Sequence, residues 1–278
     1  SDFQVMRLSF RSMDDFLRYG EKCGAVFREA WRYQTTLGNQ PEPFEVPGIC
    51  DHCACQTNYK VKPVPAGTGF EVKWWGSVPC GCGLSTLERC VLRVLDDAPA
   101  ESIYHVGHYS KFRRTLSERF KGVVSSQFDD ARQPGEIVND VRYEDLTRLT
   151  YADGEFSTLI ATEVLEHIPD YKLALREMAR VLRPGGRALL TFPWLGKDRY
   201  DHLKRATMDA EGGITHILPP EYHGDPANKN GILSFRSFGW QILDEMRENG
   251  FSEASAEYIF APVHGYNTLI CPVIVGTR

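Results

Sequence analysis

The stretch that most constrains this chain is a strand–helix–turn–strand unit between residues 156 and 192. Phe156-Ser-Thr-Leu-Ile-Ala-Thr162 carries no charge across its length. That predicts a strand buried on both faces rather than one alternating between core and water. Residues 171–182 place apolar side chains at helical spacing, Arg183-Pro-Gly-Gly186 predicts a turn, and 187–192 is apolar again. Upstream the same alternation predicts a strand over 102–107, a helix over 111–120, a strand over 122–126 and a third over 137–143. Downstream, 235–249 predicts a helix stopped by Gly250, and 254–261 and 267–276 a closing strand pair. Strands alternating with helices predict a doubly wound α/β sheet with an antiparallel edge pair. Only 194–234 breaks the rhythm, and insertions of that length are commonly functional.

The amino-terminal third reads differently. Phe16, Leu17, Cys23, Val26, Phe27, Ala30, Trp31 and Leu37 recur at helical spacing, predicting an amphipathic helix over 13–37 capped by Ser12. The prolines of 40–48 cannot continue it. Five of the eight cysteines then fall between 50 and 82. Cys50-Asp-His-Cys53 and Cys80-Gly-Cys82 are two short thiolate pairs, separated by a loop whose Phe70–Trp75 run suits a hairpin. Such paired thiolates assemble a tetrahedral zinc site, structural because four of them leave no open position. The second pair has one intervening residue rather than two, so Cys55 and His52 stand as substitute ligands. The expected organisation is a helical segment at 1–40, a zinc-ribbon-like module at 41–97 and a larger domain at 98–278.

Clustered thiols and a start, Ser1-Asp-Phe-Gln4, without secretory features predict a reducing cytoplasm. No apolar run reaches the ~18 residues of a membrane span. With 32 lysines and arginines against 37 acidic residues, net charge −5, composition argues against a nucleic-acid partner.

Three blocks carry a family resemblance. The run 143–156, the run 156–170 ending Glu163-Val-Leu-Glu166-His167-Ile-Pro-Asp170, and 174–193 with Arg183-Pro-Gly-Gly186 resemble successive blocks of class I S-adenosylmethionine-dependent methyltransferases. Residues 216–226, His-Ile-Leu-Pro-Pro-Glu-Tyr-His-Gly-Asp-Pro, and the cysteine cluster resemble a bacterial branch with an amino-terminal zinc ribbon. The resemblance implies a methyltransferase-type sheet and S-adenosylmethionine as cofactor. It assigns cofactor contacts to Gly107 at the end of the first strand, Gln127 after the second, Asp145 and the backbone of Leu146 for the adenine, and Thr162 at the end of the fourth strand. Three positions depart from the family. Gly107 alone remains of a glycine-rich turn, Gln127 replaces an acidic residue, and Ser157 replaces a common aspartate.

Methyl transfer to a hydroxyl needs alignment of donor and acceptor, and a base for the proton. Histidine titrates in the right range. His223 is the expected base, oriented by Glu221 or Asp225, with His167 second. The donor types of His216, Glu221, His223 and Asp225 also suit a second metal, but sequence does not select that reading. The expected activity is O-methylation of a small molecule, sugar or secondary metabolite. The expected partners are a small-molecule or glycan acceptor, with a homo-oligomer or partner protein also compatible. The alternative is a methyltransferase-like protein whose altered cofactor site serves a partner-subunit or binding role. RNA methylation is a weaker third option.

Overall fold

A computed structural model describes residues 5–22, 24, 28, 42–61, 63–66, 69–72, 82–98, 100–196, 199–224, 231–267 and 272–278. The expected ligands Cys80 and Asp225, and the helical stretch beyond residue 28, lie outside them. The chain divides into two compact units, Ser1–Val94 with Ala256–Val273, and Leu95–Ser255 with Ile274–Arg278.

In the first unit, β1 (Met6–Phe10) leads into a helix, α1, over 13–22, where the Ser12 hydroxyl accepts the Asp15 N–H at 3.2 Å as a cap. The later part of the proline-bearing stretch lies among the described residues. It is β2 (Phe44–Cys50), which pairs antiparallel with β3 (Cys55–Val61) from Phe44↔Val61 to Cys50↔Cys55. The turn between them holds Cys53, with Ala54 at φ +52°. The hairpin expected around Phe70–Trp75 lies earlier, as β4 (Pro63–Ala66) against β5 (Gly69–Val72), and 73–81 falls outside the described residues.

Next comes α2 (Thr86–Leu95), which opens on a capping box. Ser85 Oγ accepts the Glu88 N–H at 3.2 Å, and Glu88 accepts the Ser85 N–H at 2.7 Å. This helix delivers Arg89, 1% exposed, between the rings of Tyr59 and Tyr266, 5.2 and 4.9 Å from their centroids. Arg89 also donates to the His264 carbonyl at 2.7 Å and pairs with Asp51 at 3.7 Å. A buried guanidinium needs such partners, and here they fix the turn next to Cys50.

The second unit is built on a mixed, mainly parallel sheet. In chain order its first strands are β6 (Ile103–Val106), β7 (Val123–Gln127), β8 (Ile137–Val138), β9 (Val141–Tyr143), β10 (Phe156–Thr162) and β11 (Leu182–Thr191). The helices α3 (Lys111–Arg119) and α4 (Tyr171–Val181) connect β6 to β7 and β10 to β11. Strand β6 pairs parallel with both β7 and β10, β7 with β9, and β10 with β11. The chain therefore moves outward from β6 through β7 to β9, then returns to lay β10 on the other side of β6. That reversal is the topological switch of a doubly wound sheet. Residues 274–277, from β19 (Val273–Thr277), pair antiparallel with β11.

Burial explains the strand chemistry: Ile103, Tyr104, Leu159, Ile160, Ala188 and Leu189 are fully buried. Two turns depart from expectation. The strand predicted over 137–143 is a hairpin, β8 and β9, because Asn139 and Asp140 adopt φ +50° and +62°, the pair of positive φ values a tight hairpin turn needs. Arg183–Gly186 is a bulge inside β11 rather than a turn before it. Pairing jumps from Phe156↔Leu182 to Thr158↔Arg187, with Gly185 at φ +76°.

The insertion forms short antiparallel ladders. These are β12 (Leu203–Lys204) with β17 (Arg236–Ser237), β13 (Ala206–Met208) with β14 (Ile214–His216), and β15 (Tyr222–His223) with β16 (Ile232–Leu233). The helix expected from 235 starts later, as α5 (Gln241–Glu248), because 236 and 237 are held in the ladder with β12. Last, β18 (Glu253–Ala261) continues the chain into the first unit, where Met6↔Phe260 to Phe10↔Ala256 pair it with β1.

Candidate functional site

The residues expected to contact a cofactor lie at or just past the carboxyl ends of neighbouring parallel strands. Gly107 follows β6 at φ +120°, a conformation side chains resist, and the N–H groups of Gly107 and His108 both donate to the Ser126 carbonyl at 3.0 Å. Ser110 then caps α3 by accepting the Arg113 N–H at 3.2 Å, so a helix amino terminus opens just past the turn. Gln127 ends β7, Leu146 is buried just after β9, and Thr162 ends β10.

Asp145 is engaged in its own loop. Its Oδ1 accepts the N–H and hydroxyl of Thr147 at 2.9 and 2.7 Å, and its Oδ2 accepts Arg148 at 3.1 Å. Further lone pairs leave it acceptor capacity. Ser157 is elsewhere: it sits at the amino end of β10, donating to the Ser102 carbonyl at 2.8 Å and accepting the Ser102 N–H at 3.0 Å. Its departure from the family therefore bears on strand pairing and not on a cofactor.

Sequence reading passed over His105, two residues before Gly107. The ring is fully buried, edge-on to Phe112 at 5.6 Å, and neither nitrogen has a hydrogen-bond partner among the described residues. Burial, with help from the charges of Arg113 and His108, pushes its pKa down to about 4. The available signal was a lone polar residue in an apolar strand.

A second group assembles where β10 ends. Glu163 takes φ +54°, strained for a non-glycine residue, and a 3-10 turn, Leu165–His167, follows. The insertion's return strand latches onto this turn. Phe235 N–H donates to the Glu166 carbonyl at 2.8 Å, the His167 ring donates from Nδ1 to the Leu233 carbonyl at 2.8 Å, and buried Arg236 donates to the carbonyls of Ile168 and Pro169 at 2.5 and 2.7 Å. Arg236 also lies 4.3 Å from the Tyr171 ring centroid. Through the β15–β16 ladder, Leu233 and Ile232 carry Tyr222 and His223 to the same place.

His223 thus sits between two carboxylates, with Nδ1 3.3 Å from Glu166 Oε1 and Nε2 3.1 Å from Glu221 Oε1. Its pKa rises to about 9, chiefly through Glu166 and against the effect of burial, with Glu221 adding to it. His167 Nε2 is 3.6 Å from the same Glu166 oxygen. Glu166 is completely buried, and Oε2 of Glu166 and Oε1 of Glu163 have no hydrogen-bond partner among the described residues. Burial first, then the charge of Glu166, raises the Glu163 pKa to about 8. Glu221 also pairs with Arg205 at 2.8 Å. His223, Glu221 and His167 are brought together; His216 is exposed in a separate ladder with Ala206. The sequence reading did not give a role to Glu166, Glu163 or Arg236.

In the first unit, the thiol sulfurs of Cys50, Cys53 and Cys82 lie within 4.8 Å of one another. Ligands of a tetrahedral zinc at ~2.3 Å are separated by about 3.8 Å, so this spacing fits the ion. Neither Cys55 nor His52 belongs to that group.

Residues 109–190, from the turn after β6 to β11, match the family described as a methyltransferase domain. An uncharacterised methyltransferase of Mycobacterium sp. (strain KMS) is 45% identical over 112 residues, 40% of this chain and 41% of that protein. The 27-O-demethylrifamycin SV methyltransferase of Amycolatopsis mediterranei is 48% identical over 48 residues, 17% of this chain and 18% of its own length. The chain spans less than half the length of these curated relatives. A solved S-adenosylmethionine-dependent methyltransferase from Mesorhizobium loti superposes with TM-score 0.44 at 16% identity, covering 71% of this chain and all of that one. No helix among the described residues is long and apolar enough to cross a membrane.

Proposed function

We propose that the protein is an S-adenosylmethionine-dependent methyltransferase that methylates a hydroxyl of a small molecule, sugar or secondary metabolite in the cytoplasm. One observation carries the reading: Gln127, Asp145 and Thr162, in the stretch that matches a methyltransferase domain, and Gly107 just before it, lie at or just past the carboxyl ends of adjacent parallel strands, beside the switch point where this architecture binds ligands. Bound cofactor supplies the electrophilic methyl group. The chain supplies the rest. The turn at Gly107 leaves backbone approachable, Gln127 hydrogen-bonds ribose hydroxyls, and Asp145 with the Leu146 backbone meets the adenine. The acceptor hydroxyl lies against Glu166, His167 and His223, and its proton passes to the deprotonated form of His223, oriented by Glu221, a form that a pKa of about 9 makes dominant only at alkaline pH. O-methylation is supported by the name of the rifamycin relative. Cys50, Cys53 and Cys82, with Cys80, hold a structural zinc.

Isothermal titration with S-adenosylmethionine and S-adenosylhomocysteine tests the reading. Saturable binding of both, lost in Gly107→Val, is expected. If wild-type protein binds neither, the alternative of a partner subunit with an altered cofactor site takes its place.

A further inference from the structure

We propose that Glu166, His167 and His223 form a binding site for one divalent first-row transition-metal ion, separate from the cysteine turn. One oxygen and two nitrogens of these residues lie within 4.8 Å of one another. Ligands at the ~2.1 Å bond lengths of imidazole and carboxylate are separated by about 3.0–3.4 Å in octahedral or tetrahedral shells. The Glu166 Oε1 to His223 Nδ1 distance is 3.3 Å, and to His167 Nε2 it is 3.6 Å, so only a small inward adjustment separates the three donors from a coordination shell.

The surroundings of both rings favour this assignment. A carbonyl only accepts, so the His167–Leu233 bond places the proton on Nδ1 and leaves the Nε2 lone pair directed toward Glu166. In the neutral ring, that puts two acceptors face to face, an arrangement a cation between them resolves. His223 is held in the complementary way. Glu221 accepts a hydrogen bond from the Nε2–H, which leaves the Nδ1 lone pair for the ion. Each ring would thus have an outer partner, a backbone carbonyl for one and a carboxylate for the other, the support that metal-bound histidines ordinarily have. The fully buried Glu166 side chain also keeps Oε2 without a hydrogen-bond partner among the described residues, as does Oε1 of Glu163 close by. Two imidazoles with one carboxylate favour a transition metal over magnesium or calcium, which prefer all-oxygen shells.

Three protein donors leave coordination positions open for an outside oxygen. Resting on the methyltransferase reading, that oxygen is the acceptor hydroxyl, whose acidity a bound dication increases. In this form His223 serves as ligand and not as base. The binding site itself does not depend on the methyltransferase reading.

The test titrates Co2+ into full-length protein already loaded with one equivalent of Zn2+, which occupies the cysteines. Expected is one Co2+ per chain, with visible d–d bands and no thiolate charge-transfer band. Glu166→Gln and His223→Gln should each weaken it by at least the roughly 10–100-fold that loss of a supporting partner costs. His223 is on the short hairpin, so its variant remains informative if Glu166→Gln does not fold; near-ultraviolet circular dichroism checks both. Absence of these bands at large Co2+ excess, bands of thiolate type only, or unchanged affinity in a folded variant would overturn the proposal. S-adenosylmethionine titration of the same samples reports separately on the methyltransferase reading.

Discussion

The buried ring of His105 makes a quantitative prediction about acid stability. In the folded protein it takes up a proton only near pH 4, whereas in the unfolded chain it does so near 6.5. Between those values the unfolded chain binds more protons, so stability rises with pH. The contribution is complete above about pH 6.5 and is lost progressively as pH falls to about 4. A shift of that size corresponds to about 3 kcal/mol. The perturbation is His105→Met, which fills similar space beside Phe112 with a flexible apolar chain. At pH 7 the variant should be as stable as the wild type or more so, since two unpartnered polar atoms have gone. At pH 4.5 it should be the more stable protein, the difference having grown by most of that amount. Urea unfolding followed by fluorescence of Trp194 and Trp240, both buried in the same unit, measures it. Subtracting wild type from variant cancels the carboxylates titrating in the same range. A difference that stays constant between the two pH values would refute the reasoning and mean that the ring is hydrated or partnered in solution.

Other perturbations have equally definite outcomes. Glu163→Gly should raise stability by roughly 1–2 kcal/mol, because glycine accepts φ +54° without strain; calorimetry checks it. Arg236→Leu should lower stability by about 2–4 kcal/mol through loss of two charge-assisted hydrogen bonds to backbone carbonyls, and Lys at this position should rescue little because it lacks the planar fork. Chelation, or Cys53→Ser, should lower the melting temperature and release one zinc per chain, read by calorimetry and metal analysis.

What could be read in the sequence followed from local chemistry. The uncharged run 156–162 and the helical spacing of 171–182 encode their elements directly, because their burial is repeated at every turn or pleat. The Asn139-Asp140 pair was also legible in principle, since those residues tolerate positive φ, but the apolar residues around them read as one strand. The start of α5 was hidden for a different reason. Phe235 and Ser237 fit a helical pattern, yet their backbone is taken up by Glu166 and by the β12 ladder. The candidate site divides in the same way. His223 and Glu221 could be named from residue type, being two positions apart. Glu166 could not be tied to His223, 57 residues away, nor Arg236 to the carbonyls of Ile168 and Pro169. Those links depend on how the insertion returns to the sheet.

The attachment of the hairpin 222–233 to the turn at 165–169 has a consequence for how such a chain can diversify. Glu166 and His167 sit in the turn that follows β10, whereas His223 arrives on a short ladder beside exposed Tyr222. Selection can therefore change what the site recognises by rewriting the loop, with that pair held constant as a fixed socket. A library randomised at Tyr222 and its exposed neighbours, leaving 163–169 and 233–236 untouched, samples new specificities without first losing the fold.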